Sequence, residues 1–446
     1  MGEYMELALQ IFVDGAWRDA GTIILIDPNA GIAGRSRFSY DALYFADFAA
    51  ADFHEDIVVA DRRAASLRHP VSLDNFEEES WPPFLIDLIP QGPARRRVAT
   101  RQGLAEDDPA LDIHLLQHAA GNPIGNIRIL AAWEAEKERT RDAKCPGVTE
   151  EDILTMAPTF LDVAERFAFL ASSSSGVQGE WPKVLMTQAA DGLWYPDSLV
   201  DDEDAVQHVI VKMVRHSDPG DALILASEGP YMEVARKFGL RTPEPYRCGD
   251  NVIIMPRFDR EVVAGQVVRH GQESLAAALG YTIFGQDSSF EDHIGAIRKA
   301  SSNPVEDIKE IILRDLLSLA MGDPDNHSRN TAIQKLSDGE VRLSPFFDFA
   351  PMRLDRRGIR RSTRWNCLKR DDLTPDWKTI CDAVAGNDMD PQALYDTLLA
   401  KEDFVRDLPA QARACGVPEE TIAKACGRHE EIADTLSRLR SDLCRE

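Results

Sequence analysis

The sequence predicts an α+β protein: a β-rich first module, a second module of strands with one helix, and a helical remainder. Three observations predict it. Short β-branched runs crowd the front of the chain, as in Leu7–Val13, Gly21–Ile26 and His208–Lys212. Beyond Arg260 the apolar residues recur at helical spacing almost throughout. Between these helical stretches lies one polar loop, Met321–Ile333, followed by a turn at Ser337-Asp338-Gly339 and a second apolar run ending at Asp348-Phe349.

Composition bounds what such a chain does. Its 446 residues allow roughly three domains, and a 44% apolar fraction is that of a globular protein. A formal net charge of −25 argues against a general nucleic-acid footprint, which needs a basic surface. Seven cysteines, an odd number without a Cys-x-x-Cys pair, suit a reducing cytoplasm and suggest neither a disulfide framework nor a zinc site. Glu3 and Glu6 lie where a secretory signal would be basic and then apolar. No apolar run approaches the roughly 20 residues of a membrane span. The expectation is a cytoplasmic protein without a membrane partner.

Taken in order, the first module spans 1–135. Its opening strands meet at Asp14-Gly15, a hairpin signal. The triplet Arg95-Arg96-Arg97 reads as a solvated helix face, with phosphate binding as the alternative. A dense charge run, Glu134–Lys144, ends at Pro146-Gly147, so 136–150 reads as a charged linker or exposed helix. The second module covers 151–260. There Phe167–Ser175 reads as a strand running into the small-residue loop Ser172–Gly179, a geometry that lets backbone N–H groups approach phosphates; such loops are also ordinary connections. Val184–Met186, Trp194-Tyr195 and Val252–Met255 are further strands, and His208–Lys212 ends on a lysine. Ala226–Phe238 has helical spacing with Gly239 as its stop, and Glu228 near its start. That glutamate either pairs with Lys212 or stabilises a helix N-terminus.

The third module, 261–446, is read as helical. Asn303, Pro304 and Glu306 mark a capped helix start, and Ile308, Ile311, Ile312, Leu316 and Leu319 form its buried stripe. This helix delivers the chain into the polar loop. Helices follow at Trp377–Val384, Gln392–Leu399, Phe404–Ala414 and Glu419–Leu439. In the loop, Asp325 and Asn330 stand five residues apart, the spacing of a protein-kinase catalytic base and its metal-binding asparagine. The Asp338-Gly339 hairpin would return Asp348 beside them. Phosphoryl transfer needs a carboxylate to orient a hydroxyl and oxygen ligands for Mg²⁺. A polar turn bonded to its own backbone is the plain alternative. A small β lobe followed by a helical lobe is also the kinase arrangement.

With these stretches placed, the chain resembles the HipA family, serine/threonine kinase toxins of bacterial type II toxin–antitoxin modules. The likeness runs nearly the whole length. Phe38-Ser39-Tyr40-Asp41, Ser66-Leu67-x-x-Pro70-Val71, Phe84–Gln91-Gly92 and Gly121-x-x-x-Gly125-Asn126-Ile127-Arg128 are similar to the family's N-terminal domain. Ser173-Ser174-Ser175-Gly176-Val177-Gln178 resembles its phosphate-covering loop, Phe258-Asp259-Arg260 its hinge, and Asp325–Asn330 its catalytic loop. Leu343–Asp348 resembles the metal-binding segment. Two departures stand out. Lys183 lies five residues beyond Gln178 where the family has a lysine at two, and Pro256 stands where the hinge commonly has an acid.

The resemblance implies a HipA-like bilobal kinase fold that uses ATP and Mg²⁺. Asp325 would be the general base, and Asn330 and Asp348 would hold the metal. Lys212, Glu228, Gly176, Val177, Gln178, Phe258 and Asp259 would bind ATP. It further implies autophosphorylation on Ser173 or Ser175, a HipB-like DNA-binding antitoxin through which alone DNA is reached, and a protein substrate such as an aminoacyl-tRNA synthetase. Two rival readings are a metal-dependent phosphohydrolase built on Asp323, Asp325, His327 and Asp348, and a non-catalytic interaction protein of kinase fold.

Overall fold

The computed structural model describes residues 4–171, 181–215, 218–368, 373–387 and 389–445, the side chains of 93 and 167–171 excepted. The fold is α+β. It divides into two compact units, one made of residues 1–215, 244–284 and 332–341, the other of 216–243, 285–331 and 342–446.

The first unit holds two five-stranded sheets. Strands β1 (Met5–Val13) and β2 (Ala16–Leu25) form the expected hairpin, joined by β3 (Ser36–Tyr40), β4 (Asn75–Glu78) and β5 (Ile127–Ile129) in the order β4-β3-β2-β1-β5. Asp14 and Gly15 both take positive φ, 51° and 76°, the pairing that matches the twist of a two-residue hairpin. Leu7, Leu9, Ile11 and Val13 point to one buried face at period two, against Trp81, Leu85 and Leu115. Arg95 leaves the solvated face expected of its triplet. It is buried, bonding Asp112 at 2.5 Å and Glu106 O at 2.9 Å, while Arg96 and Arg97 are exposed.

The second sheet contains β6 (Lys183–Ala189), β7 (Trp194–Pro196), β8 (Ala205–Met213), β9 (Arg247–Gly249) and β10 (Val252–Pro256), ordered β7-β6-β8-β10-β9. Helix Pro158–Ala171 supplies Phe160 and Val163 to the core of Val184, Val209, Val211 and Ile254. The chain from Phe167 to Ala171 is therefore helical, not a strand. Phe160, Val163 and Ala164 continue a 3–4 spacing into it, and that periodicity wins over the local apolar run. The stretch 136–150 also differs from a linker: helix Leu130–Thr140 runs into it, and Glu136 is buried.

Later segments join this unit for identifiable reasons. Strand Gly271–Ser274 pairs antiparallel with Ala332–Lys335. Buried Lys335 reaches buried Glu273 at 3.0 Å, and Glu273 in turn accepts from Ser66 Oγ (2.7 Å) and the Leu67 N–H (2.9 Å). Asp87 accepts from the Ser274 N–H and hydroxyl. The unit boundary thus does not follow the modules 1–135, 151–260 and 261–446, because these buried ties reach back across them.

A buried network adds to this unit. Asp259 accepts from Arg257 Nη2 at 2.6 Å and from the Gly125 N–H at 2.9 Å. Burial alone would raise its pKa. The charge and hydrogen bonds of Arg257, helped by Arg260, override that and hold it at about 2. A carboxylate depressed in the folded state contributes stability above its unfolded value, lost as pH falls through the folded one. Asp259→Asn is expected to lower stability near neutrality by about 1–3 kcal/mol, because it removes the closer of the two carboxylates that Arg257 pairs with and leaves Asp197, 3.3 Å from Nη1. Its deficit should shrink between about pH 5 and pH 2, which denaturant unfolding at stepped pH would show.

The second unit is helical. Its members include Pro219–Phe238, Phe290–Ala300, Pro304–Met321 and the run of helices from Trp377 to Leu443. The stripe Ile308, Ile311, Ile312, Leu316 and Leu319 is buried as its spacing predicts. Its start differs in detail: Asn303 makes no side-chain cap bond, so the capping box does not form. Instead Ser301 Oγ donates to Asp307 at 2.6 Å. No helix among the described residues is long and apolar enough to cross a membrane.

Candidate active site

The site is assembled by the end of helix Pro304–Met321 and the loop beyond it. Gly322 stops the helix with φ +73°, and a Cβ there would meet Ala425 O at 2.5 Å, so only glycine fits this close approach. Tyr231 Oη donates to Met321 O at 2.9 Å and pins the last turn. Asp323 then accepts the Asp325 N–H at 3.0 Å.

Within the loop, Asn330 Nδ2 donates to Asp325 O at 3.0 Å. That bond sets the amide's orientation and leaves Oδ1, the oxygen a hard cation takes, for other use. His327 Nε2 lies 3.6 Å from Asp325 Oδ1, beyond hydrogen-bond distance. Asn326 latches the loop: Nδ2 donates to Thr363 O (2.8 Å), and Oδ1 accepts from the N–H groups of Ser362 and Thr363 (3.1 and 3.2 Å). Asn326→Ala removes all three bonds. It is expected to cost about 1–3 kcal/mol of stability and to slow any reaction that depends on loop order, measured by thermal melting beside turnover.

Asp348 arrives by a different route. Leu336 N–H bonds Glu340 O across the Ser337–Gly339 turn, and the next strand, Val341–Leu343, leads out towards it. Phe346 N–H bonds Arg241 O at 2.7 Å, and Phe346 packs on Phe349 with ring centres 4.9 Å apart. Phe349 is fully buried beside Tyr231, 5.2 Å between rings. Held between these anchors, Asp348 adopts φ +55°, a left-handed conformation that aspartate tolerates better than most residues.

The outcome is a hollow of about 30 Å³ lined by Asp323, Asp325, Asn330, Phe346 and Asp348. The three residues expected to perform and support transfer come together there. Burial, then repulsion from Asp325 and more weakly Asp348, lifts the Asp323 carboxyl well above the usual range. Crowded carboxylates beside an amide oxygen suit a hard divalent cation, which takes oxygen ligands and relieves their repulsion. Among the described residues, no group of three or more His, Cys, Asp and Glu side chains is placed to hold a metal, as the hydrolase reading would ask.

The remaining expected residues lie elsewhere. Lys212 is buried in the first unit, its Nζ 5.5 Å from the Trp181 ring centre. Lys183 stands directly opposite it in the β6–β8 register, so both lysines share one face of the sheet. Phe258 and Asp259 belong to the same unit; Phe258 O accepts from Gln334, and Asp259 is tied to Arg257. Glu228 belongs to the second unit and is buried at the tenth position of helix Pro219–Phe238. This helix starts earlier than its spacing suggested, with Asp218 capping the Gly220 N–H at 2.8 Å, which removes the N-terminal role for Glu228. Ser173, Ser175, Gly176, Val177 and Gln178 lie outside the described residues.

The chain is similar to known proteins over much of its length. The family described as HipA-like C-terminal domain matches residues 172–415, and HipA N-terminal domain matches 33–130. The chain is 26% identical over 303 residues to Y4mE of Sinorhizobium fredii, a protein whose name calls it a candidate kinase; the match covers 64% of this chain and 67% of that protein. In fold it is similar to HipA of Shewanella oneidensis, solved with HipB and operator DNA, with a TM-score of 0.60, 12% identity and 97% of each chain covered.

Proposed function

The chain belongs to the HipA family, and from that premise we propose that it is an ATP- and Mg²⁺-dependent serine/threonine protein kinase, the toxin of a toxin–antitoxin pair. The observation that carries the reading is the convergence of Asp325, Asn330 and Asp348 on one hollow. Asp325 accepts the proton of the substrate hydroxyl and orients its oxygen for attack. Asn330 Oδ1 and the Asp348 carboxylate hold Mg²⁺, which when bound neutralises charge on the transferred phosphoryl group. Lys212 steadies the nucleotide phosphates, with Lys183 beside it on the sheet face, and Glu228 is a further proposed ATP-binding residue. Gly176, Val177, Gln178, Phe258 and Asp259 are the other residues proposed to bind the nucleotide.

A HipB-like antitoxin is the proposed partner. The Shewanella relative, crystallised with HipB and its operator, supports this, and a chain of net charge −25 would reach DNA through such a partner. The proposed target is a hydroxyl on a cellular protein such as an aminoacyl-tRNA synthetase. Phosphoproteomics after induction of the wild type and Asp325→Ala identifies it as the site that loses label.

Autophosphorylation on Ser173 or Ser175 would silence the enzyme. A phosphoserine carries about −1.5 to −2 charges and would compete with ATP for the same loop donors. Intact-mass analysis after incubation with Mg-ATP is expected to show added phosphate that Ser173→Ala or Ser175→Ala removes, with ATP binding weakened in Ser173→Asp. Phosphate on another residue, or unchanged affinity, would reduce the loop to a cover.

A further inference from the structure

The first unit contains a cavity of about 320 Å³ whose lining residues the proposed reaction does not use. Trp17, Arg128, Trp133, His208, Arg260 and Arg269 line it. Three guanidiniums in one wall are costly, because buried charge is tolerated only when paired and fully hydrogen-bonded. Two of them, Arg260 and Arg269, keep buried donors without a hydrogen bond among the described residues. Arg128, Arg260 and Arg269 are 6%, 5% and 7% exposed. Arg260 gives Nη1 to Asp197 (2.8 Å) and Nη2 to Asn122 Oδ1 (2.7 Å) and Pro123 O (3.3 Å), while its Nε, 3.8 Å from Asp259 Oδ2, makes no hydrogen bond among the described residues. Arg269 gives Nη2 to Asp202 (2.7 and 2.9 Å), and both its Nε and Nη1 lack one.

Arg128 is held differently. Its Nε donates to Gln10 Oε1 at 2.8 Å, and its guanidinium lies between the Trp17 and Trp133 rings, 4.0 and 4.3 Å from their centres. Burial, then repulsion from Arg269, pulls it below the ordinary arginine range; Arg260 is pulled down by burial and by Arg257 and Arg269. Of the carboxylates in the wall, only Asp197 is buried, and Arg257, Arg260 and Thr187 already engage it. Asp201, Asp202 and Glu203 sit towards solvent.

We propose that this cavity binds a hydrogen phosphate group, as the free ion or as a small phosphate monoester, between Arg128, Arg260, Arg269 and His208. Planar guanidinium donors match phosphate oxygens. His208 adds a reason to prefer phosphate over sulfate. Its Nδ1 lies 3.0 Å from Asp197 Oδ1, an acceptor that also takes the Thr187 hydroxyl at 2.5 Å, so the ring proton sits on Nδ1. His208 Nε2, buried and without a partner among the described residues, is then an acceptor for the one oxygen of hydrogen phosphate that carries a proton.

The test titrates the full chain, ¹⁵N-labelled at its tryptophan indoles, with inorganic phosphate, glycerol 3-phosphate and sulfate at constant ionic strength. Saturating Mg²⁺ and a non-hydrolysable ATP analogue occupy any nucleotide site, so the result does not depend on the kinase reading. Phosphate is expected to shift the Trp17 and Trp133 signals saturably, with sulfate at least tenfold weaker. Arg269→Gln should weaken phosphate at least tenfold. Arg269→Lys, which keeps the charge facing Asp202, should fall between wild type and Arg269→Gln and serves if the latter does not fold. Tighter binding of glycerol 3-phosphate assigns the site to a monoester, and equal binding to the free ion. Absence of saturable shifts at Trp17 and Trp133, sulfate binding as tight as phosphate, or wild-type affinity in Arg269→Lys would overturn the proposal.

Discussion

Replacing Asp325 by alanine is expected to slow phosphate transfer about a thousandfold, within the 10²–10⁴ range of a positioned general base, while fold and ATP binding persist. The reason lies in how the loop is built. The Asp325 side chain is 27% exposed and faces the hollow, whereas the loop is held by its backbone: the N–H to Asp323 and the carbonyl from Asn330 Nδ2. Alanine keeps both of those bonds. Initial rates of transfer beside calorimetry with Mg-ATP separate the two effects. Loss of ATP affinity in proportion to loss of rate would mean that Asp325 binds the nucleotide rather than activating the acceptor.

Asp348→Asn should fail in the other way. Asparagine tolerates φ +55° about as well as aspartate, so the backbone and the anchors Phe346 and Phe349 should remain in place. What disappears is a charge that the proposed Mg²⁺ site requires. Removing even an outer partner of a metal site costs 10–100-fold in affinity, so losing the ligand itself should weaken Mg-ATP binding by about 100-fold or more. Transfer should vanish with it. Calorimetry in Mg²⁺ and in EDTA checks this, since the variant should bind ATP equally weakly in both. Equal Mg-ATP affinity for Asp325→Ala and Asp348→Asn would contradict the division of roles.

The residues that converge were legible because spacing and turn chemistry are local signals. Five residues separate Asp325 from Asn330, and the turn at Asp338-Gly339 announces the return of the chain. The buried stripe from Ile308 to Leu319 likewise follows from helical period alone. What stayed hidden depends on distant partners. Asn326 finds Ser362 and Thr363, thirty-six and thirty-seven residues on, and no local pattern marks it. Lys183 fell at an unexpected offset from Gln178, yet register sets it opposite Lys212. The unit boundary was illegible because Glu273, Lys335 and Ser66 meet through tertiary contacts alone. Arg95 looked like its exposed neighbours Arg96 and Arg97, since only packing against Asp112 tells it apart.

One assay bears most directly on the claim that this chain transfers phosphate to hydroxyl groups. Purified protein is incubated with γ-labelled ATP and Mg²⁺, alone and with a bacterial lysate, followed by phosphoamino-acid analysis. The account predicts label on serine or threonine from the wild type and none above background from Asp325→Ala. No label from the wild type on itself or on any lysate protein, or label undiminished by Asp325→Ala, would contradict it.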